Sequence, residues 1–147
     1  TDFSQKMLIE NPVIKKIIAD IYSLPFRSNS FDMVCAWEVF HHLENHENAA
    51  EEIIRVSKKY ICIFEVNRNN PVQFLFGLTN KEHRGVIKFS KKYLLKLFAK
   101  KVRIIKHSTT GIIFPNKTPS FMLPVLSKAP FAIPFVGISN FIICEKS

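Results

Sequence analysis

An α/β fold with a largely parallel sheet is the class this sequence predicts, and three observations carry the prediction. Short apolar runs rich in β-branched residues alternate with stretches whose apolar residues recur at helical spacing. Acids stand directly after two of the apolar runs, at Asp20 and Glu38. With 147 residues, 47% of them hydrophobic, the chain is long enough for one domain with a substantial core.

The elements follow in order. VIKKIIA, residues 13–19, is short and apolar and ends at Asp20, which predicts a strand; SFDMVCAW, residues 30–37, predicts a second. Between 45 and 59, Ala49, Ile53, Ile54 and Val56 recur at helical spacing, with acids early and lysines late, as the helix dipole favours. YICIFEV, residues 60–66, is nearly continuous in apolar character, as expected of a strand covered on both faces. Ser90 can cap a helix over SKKYLLKLFAKK, with Tyr93, Leu94, Leu97 and Phe98 on one face. Residues 102–107 and 138–145 predict two final strands. Between them, residues 114–136 hold five prolines, which break any long helix and argue against a membrane span. An insertion or lid on the acceptor side is expected there, with Phe121, Met122, Phe131 and Phe135 either lining it or packing beneath the last strand.

Composition narrows the function. Cys35, Cys62 and Cys144 are widely spaced, show no metal-ligand pattern and sit in apolar runs, so reduced core cysteines and a cytoplasmic setting are expected. The opening TDFSQKMLIE lacks the basic and then apolar form of a secretory leader. The net charge of +9 is uneven: after Leu75 there are thirteen basic residues against two acids, ten of the basic ones between Lys81 and Lys106. Such a stripe attracts phosphates, nucleic acid or an anionic surface, or is simply a solvated helix face.

Ligands in open parallel sheets bind beyond the carboxyl ends of the strands, which is where Asp20 lies. Asp2 lies there too if a strand leads into it. Carboxylates at neighbouring strand ends suit ribose hydroxyls and an exocyclic amine, although either acid alone reads equally as a turn cap. His42 and His46 have the spacing of a ligand pair on a helix. The zinc-protease pattern, however, needs Glu after the first His, and Leu43 stands there, so no metal is expected.

TDFSQKML, then ADIYSLPFRSNSFDMV, then WEVFHHLENHENAAEEIIRVSKKYICIFE together resemble the class I S-adenosylmethionine-dependent methyltransferases. The nearest pattern is the methyltransferase type 11 branch, which runs D-x-S, acid-x-x-x-LPF, SFD-x-V, a short H-L segment and a helix ending R-V-x-K. The resemblance spans residues 1 to about 67, and LPF with SFD is its most specific part. It implies a Rossmann-like, mostly parallel sheet with an antiparallel last strand, and S-adenosylmethionine as cofactor. Asp2 would hold the ribose hydroxyls, with Phe3 and Ser4 beside the adenosine. Asp20 would meet the adenine amine, Ile21 would read the ring edge and Tyr22 would lie nearby. Trp37 and Glu38 would approach the methionine end, and His42 falls at a frequent pocket position. Asp32, at the start of its strand, reads as structural. No catalytic residue is singled out: Glu38, His41, His42 and Glu65 are all candidate bases.

The family pattern begins upstream of Thr1, with a strand, a Gly-rich loop and a helix. None of Gly77, Gly85, Gly111 or Gly137 lies in a G-x-G setting. The expectation is therefore an N-terminally truncated, partial domain over 1–147, with one sheet edge lacking its neighbour and with weak cofactor binding. The activity implied is methyl transfer to a small-molecule or lipid-like acceptor. The alternatives are a nucleic-acid-binding module or RNA methyltransferase using residues 81–106, and a non-catalytic relative kept for protein contacts.

Overall fold

The structure, a computed structural model, describes residues 1–111, 120–128, 133 and 137–146. Its centre is strand β2 (Ser57–Val66), the YICIFEV run, which is paired on both sides. Strand β1 (Phe31–Trp37) lies parallel to it, with Val34 opposite Ile61 and Trp37 opposite Phe64. Strand β4 (Ser139–Glu145) lies antiparallel on its other side, and strand β3 (Arg103–Thr110) closes the order β1-β2-β4-β3 by pairing antiparallel with β4. Three strands thus share one direction and β4 alone opposes them. This is the mostly parallel sheet with an antiparallel last strand that the sequence predicts.

Helix α2 (His46–Val56) connects the parallel pair, the crossover that parallel neighbours require. Asn45 caps it by accepting from the Asn48 N–H at 3.0 Å. Its buried face, Ala49, Ala50, Ile53 and Val56, meets Ile61 and Ile63 of the sheet. Helix α4 (Lys91–Ala99) adds Leu94, Leu97 and Phe98, and Phe40 and Phe89 complete the same cluster. Each fully buried Leu, Ile or Phe in it contributes roughly 1.5–3 kcal/mol of burial. Ser90 caps α4 by accepting from the Tyr93 N–H at 3.1 Å, as its position predicts.

Several boundaries differ from the sequence reading. Residues 13–19 form no strand: Ile18 makes a single parallel bridge to Asp2. Helix α2 stops at Val56 rather than Lys59. Ser57 turns to extended backbone and starts β2 opposite Phe31, so sheet pairing overrides the helical preference of Lys58 and Lys59. Helix α1 (Gln5–Glu10) and helix α3 (Pro71–Thr79) were not expected. Their caps are nevertheless written in the sequence, as Ser4 for α1 and as Asn70 followed by Pro71 for α3. A 3-10 segment over Lys81–Lys88 follows α3, and a shorter one over Phe40–His42 follows β1.

Two side-chain systems pin loops to this frame. Arg55, at the end of α2, donates to the carbonyls of Phe26 at 2.8 Å and Leu24 at 3.0 Å, while Glu52 accepts from the Leu24 N–H at 3.0 Å. The Leu-Pro-Phe turn is therefore clamped by the helix that follows two elements later. At the far end of the sheet, buried Asn140 donates to the Val66 carbonyl at 3.2 Å and accepts from Thr109 at 3.1 Å, while buried Asn67 donates to the Gly137 carbonyl at 2.8 Å.

Most of the 114–136 segment lies outside the described residues, including Phe131 and Phe135. What is described contains a four-residue helix α5 (Leu123–Leu126), with Pro124 in its first turn, as the prolines predict. Phe121 and Met122 are exposed, which rules out packing beneath the last strand for these two.

The cysteine expectation needs one correction. Cys144 is buried and Cys62 half-buried, but Cys35 is exposed, because β1 is the edge strand and Phe31 and Met33 beside it are exposed as well. Burial pushes the Cys62 thiol up to about 11 and the Cys144 thiol up to about 12, which leaves almost no thiolate on either. A thiol reagent at neutral pH should therefore label one cysteine fast, and Cys35→Ser should remove that fast phase. Fast labelling that persists in the variant would contradict the placement of β1 at the edge.

Candidate active site

The structure gathers the expected residues into two groups. In the first, the Asp2–Ile18 bridge sets two chain segments parallel, and the Ala19 N–H donates to the Asp2 carbonyl at 3.1 Å. Asp20 lies two residues beyond the bridge, so both acids stand at the same end of neighbouring segments. Each carboxylate also shapes its own turn: Asp2 accepts from the Ser4 N–H at 2.8 Å and Asp20 from the Tyr22 N–H at 2.9 Å. These one-sided bonds use Oδ1 in both cases and leave the two side chains facing solvent. Phe3 is exposed, and Ile21 is tucked against the core.

The second group sits at the carboxyl ends of β1 and β2. Trp37 stacks on Phe64 with ring centroids 4.3 Å apart and remains two-thirds exposed (67%), so it offers one open aromatic face. Glu38 follows with φ of 50°, a left-handed conformation uncommon for a residue with a side chain, while its N–H donates to the Phe64 carbonyl at 2.8 Å. Burial raises the pKa of the Glu38 carboxyl, reinforced by Glu65 and opposed by His41 and a hydrogen bond with Ser139. His41 is buried against Glu65, which is wholly buried (0% exposed): Oε2 accepts from the His41 N–H at 2.9 Å, and Oε1 lies 2.8 Å from Nδ1. Both oxygens of Glu65 are thus engaged.

Tyr22 joins the groups. Its hydroxyl accepts from the Glu44 and Asn45 N–H groups at 3.1 and 3.2 Å, tying the Asp20 turn to the chain just after the histidine pair.

The histidine spacing pointed to the wrong partner. His46 does not face His42; its Nδ1 lies 2.6 Å from the Tyr93 hydroxyl, and its ring packs on Phe89. His83 takes that place instead, with centroids 5.0 Å from His42 and 5.6 Å from His41. Gly85 makes this approach possible. A Cβ there would stand 1.7 Å from the His41 carbonyl oxygen, so only glycine lets the 81–88 segment lie against the 40–42 segment. The sequence signal was available as H-R-G at 83–85, but no spacing rule links it to residues 41 and 42. Asp32 lies at the opposite end of β1, 3.7 Å from Lys58 on the surface.

Comparison with known proteins bears on the fold that carries these residues. Residues 1–61 match the family model described as a methyltransferase domain. Among solved structures, the chain superposes on an S-adenosylmethionine-dependent methyltransferase of Thermotoga maritima with a TM-score of 0.69 at 18% identity, covering 88% of this chain and 62% of that one. An S-adenosylmethionine-dependent methyltransferase of Archaeoglobus fulgidus gives a TM-score of 0.64 at 14% identity, over 99% of this chain and 74% of that one. The plantazolicin methyltransferase BpumL, solved with S-adenosylhomocysteine and a triazolic desmethylPZN analogue, gives 0.63 at 16% identity, over 99% of this chain and 66% of that one. No curated protein matches by sequence. The chain therefore carries the class I S-adenosylmethionine-dependent methyltransferase fold, and its first 61 residues carry the methyltransferase-domain pattern. It spans under two-thirds of the Thermotoga protein's length.

Two measurements check the site's construction. Gly85→Ala should lower stability by about 1–3 kcal/mol, the usual cost of overpacking, read from denaturant midpoints; an unchanged midpoint would contradict the close approach. Partial desolvation lowers the pKa of the His42 ring, exposed though it is, with His41 and His83 adding to the effect, and burial lowers that of His46. Below the ordinary histidine value of 6.5 the unfolded chain then binds more protons than the folded one, so stability falls as pH drops through 6.5. Glu38, with its raised pKa, acts in the opposite sense above 4.5, so the contributions are separated by comparing variants. Melting temperatures from about pH 8 to about pH 5.5 should fall less steeply in His46→Gln than in the parent.

Proposed function

We propose that this protein transfers a methyl group from S-adenosylmethionine to a small-molecule or lipid-like acceptor. The observation that carries the reading is the pair of carboxylates, Asp2 and Asp20, at one end of bridged segments, with Trp37 and Glu38 at the end of the next strand. Asp2 would hold the ribose hydroxyls with Phe3 alongside, Asp20 the adenine amine with Ile21 and Tyr22 framing the ring, and Trp37, Glu38 and His42 the methionine end. A sulfonium is already an activated electrophile, so the protein's task is to align the acceptor in line with the methyl group and to exclude water. The methyl carbon passes to the acceptor's lone pair, the C–S bond breaks onto sulfur, and S-adenosylhomocysteine leaves. A base is needed only for an acceptor that reacts after losing a proton.

An apolar acceptor suits the surroundings. Helix α3 presents Val72, Leu75 and Leu78 to solvent at intervals of three, and Phe121 and Val125 are exposed in the described part of the 114–136 segment. Among the described residues no helix is long and apolar enough to cross a membrane, so such a surface would meet an acceptor or a lipid face rather than span it.

Calorimetric titration with S-adenosylhomocysteine tests the cofactor assignment. Asp2→Ala and Asp20→Ala should each lose about 1.5–3 kcal/mol of binding, the value of a hydrogen bond to a charged group, or roughly ten- to hundredfold in affinity. Binding unaffected by both changes would remove the assignment.

A further inference from the structure

We propose that His41, His42 and His83 bind one divalent first-row transition ion, of the zinc or cobalt kind. Each offers a ring nitrogen, and the three nitrogens lie within 4.8 Å of one another. A tetrahedral site with bonds of about 2.0–2.1 Å needs nitrogens about 3.3–3.4 Å apart, so the rings would close by up to about 1.5 Å on binding.

The surroundings of the rings are those of metal ligands. A ligating histidine usually turns its second nitrogen to a carboxylate or a backbone carbonyl, which fixes the tautomer and raises ligand basicity. His41 does the first: the tautomer that donates Nδ1–H to Glu65 at 2.8 Å leaves the lone pair on Nε2. The His42 ring lies beside that of His41 with centroids 3.9 Å apart, and His83 lies 5.0 Å from His42. Three imidazoles side by side can offer their lone pairs to a single cation. The negative charges of Glu65, and of Glu38 when ionised, compensate such a cation without occupying its coordination sphere.

Imidazole sets of this kind favour zinc, cobalt, nickel or copper over magnesium or calcium. Three protein ligands leave a position open, the hallmark of a site that receives water or substrate rather than one that merely braces the fold. In combination with the methyl-transfer reading, on which this last step rests, the open position faces the acceptor side at the carboxyl ends of β1 and β2. An ion there would take an acceptor oxygen, hydroxyl or carboxylate, and lower the pKa of a bound hydroxyl.

The test is a cobalt titration of the chelator-treated protein, following the visible d–d absorption, with zinc as competitor. One ion per chain with a tetrahedral spectrum is expected. His42→Ala and His83→Ala should each weaken binding by at least the roughly 10–100-fold that loss of even an outer-shell partner costs. His107→Ala, on β3, should leave binding unchanged. His42 is exposed, so its variant keeps the fold, which circular dichroism verifies. Absence of cobalt binding at millimolar concentration, or binding that survives both changes, overturns the site. S-adenosylhomocysteine titration of the same samples separates the two proposals: cofactor bound without cobalt removes only the metal, and cobalt bound by a chain whose S-adenosylhomocysteine affinity is unmoved by Asp2→Ala and Asp20→Ala leaves the metal site standing and removes the cofactor assignment.

Discussion

A carboxylate with no access to water organises this molecule. Glu65 sits at the end of the central strand, where an isolated charge would be prohibitive and even an unpaired polar group costs several kcal/mol. It is tolerable because the His41 backbone, the His41 ring and the Val66 N–H at 3.3 Å all turn toward it. Satisfying that carboxylate dictates the path of the chain after β1. Glu38 adopts its left-handed turn, residues 40–42 coil into a single 3-10 turn, and Phe40 drops into the core while the histidines stay above it. The 81–88 segment then has one surface to lie against, and Gly85 is what lets it do so.

The same logic holds the other half of the site. The Asp20 turn has little packing of its own, since Ile14, Ile17 and Ile18 are exposed. Its position comes from polar anchors. The Tyr22 hydroxyl serves the start of α2, and Arg55 with Glu52 grips the backbone of the Leu-Pro-Phe turn from the end of the same helix. One helix therefore holds both ends of the 20–26 loop, and the loop's geometry is inherited from α2 rather than from local propensity.

The basic character of the second half acquires a simpler meaning in the fold. In α4 the apolar residues Leu94, Leu97 and Phe98 are buried, while Tyr93 is half-buried and spends its hydroxyl on His46. The lysines around them form the outward face. Aromatics committed to the core are not arranged to stack on bases, so the stripe lacks the interleaving that single-stranded nucleic-acid binding uses. A stripe of this charge attracts anions at long range.

Much of the architecture was legible in the sequence because it rests on local patterning. Periodicity marked β1, α2, β2, α4, β3 and β4, and Ser90 marked a cap. The ordered motifs through residue 67 marked the family resemblance, and with it Asp2, Asp20, Trp37 and Glu38. Tertiary structure alone decided what depends on partners distant in the chain. It shortened α2 because β1 recruits Ser57, gave residues 13–19 a single bridge in place of a strand, and exposed Cys35 on β1, an edge strand among the described residues. It also replaced His46 with His83 beside the histidine pair. A sequence records spacing along a line. Which imidazoles converge is set by a buried carboxylate and a missing Cβ, and those act only once the chain has closed on itself.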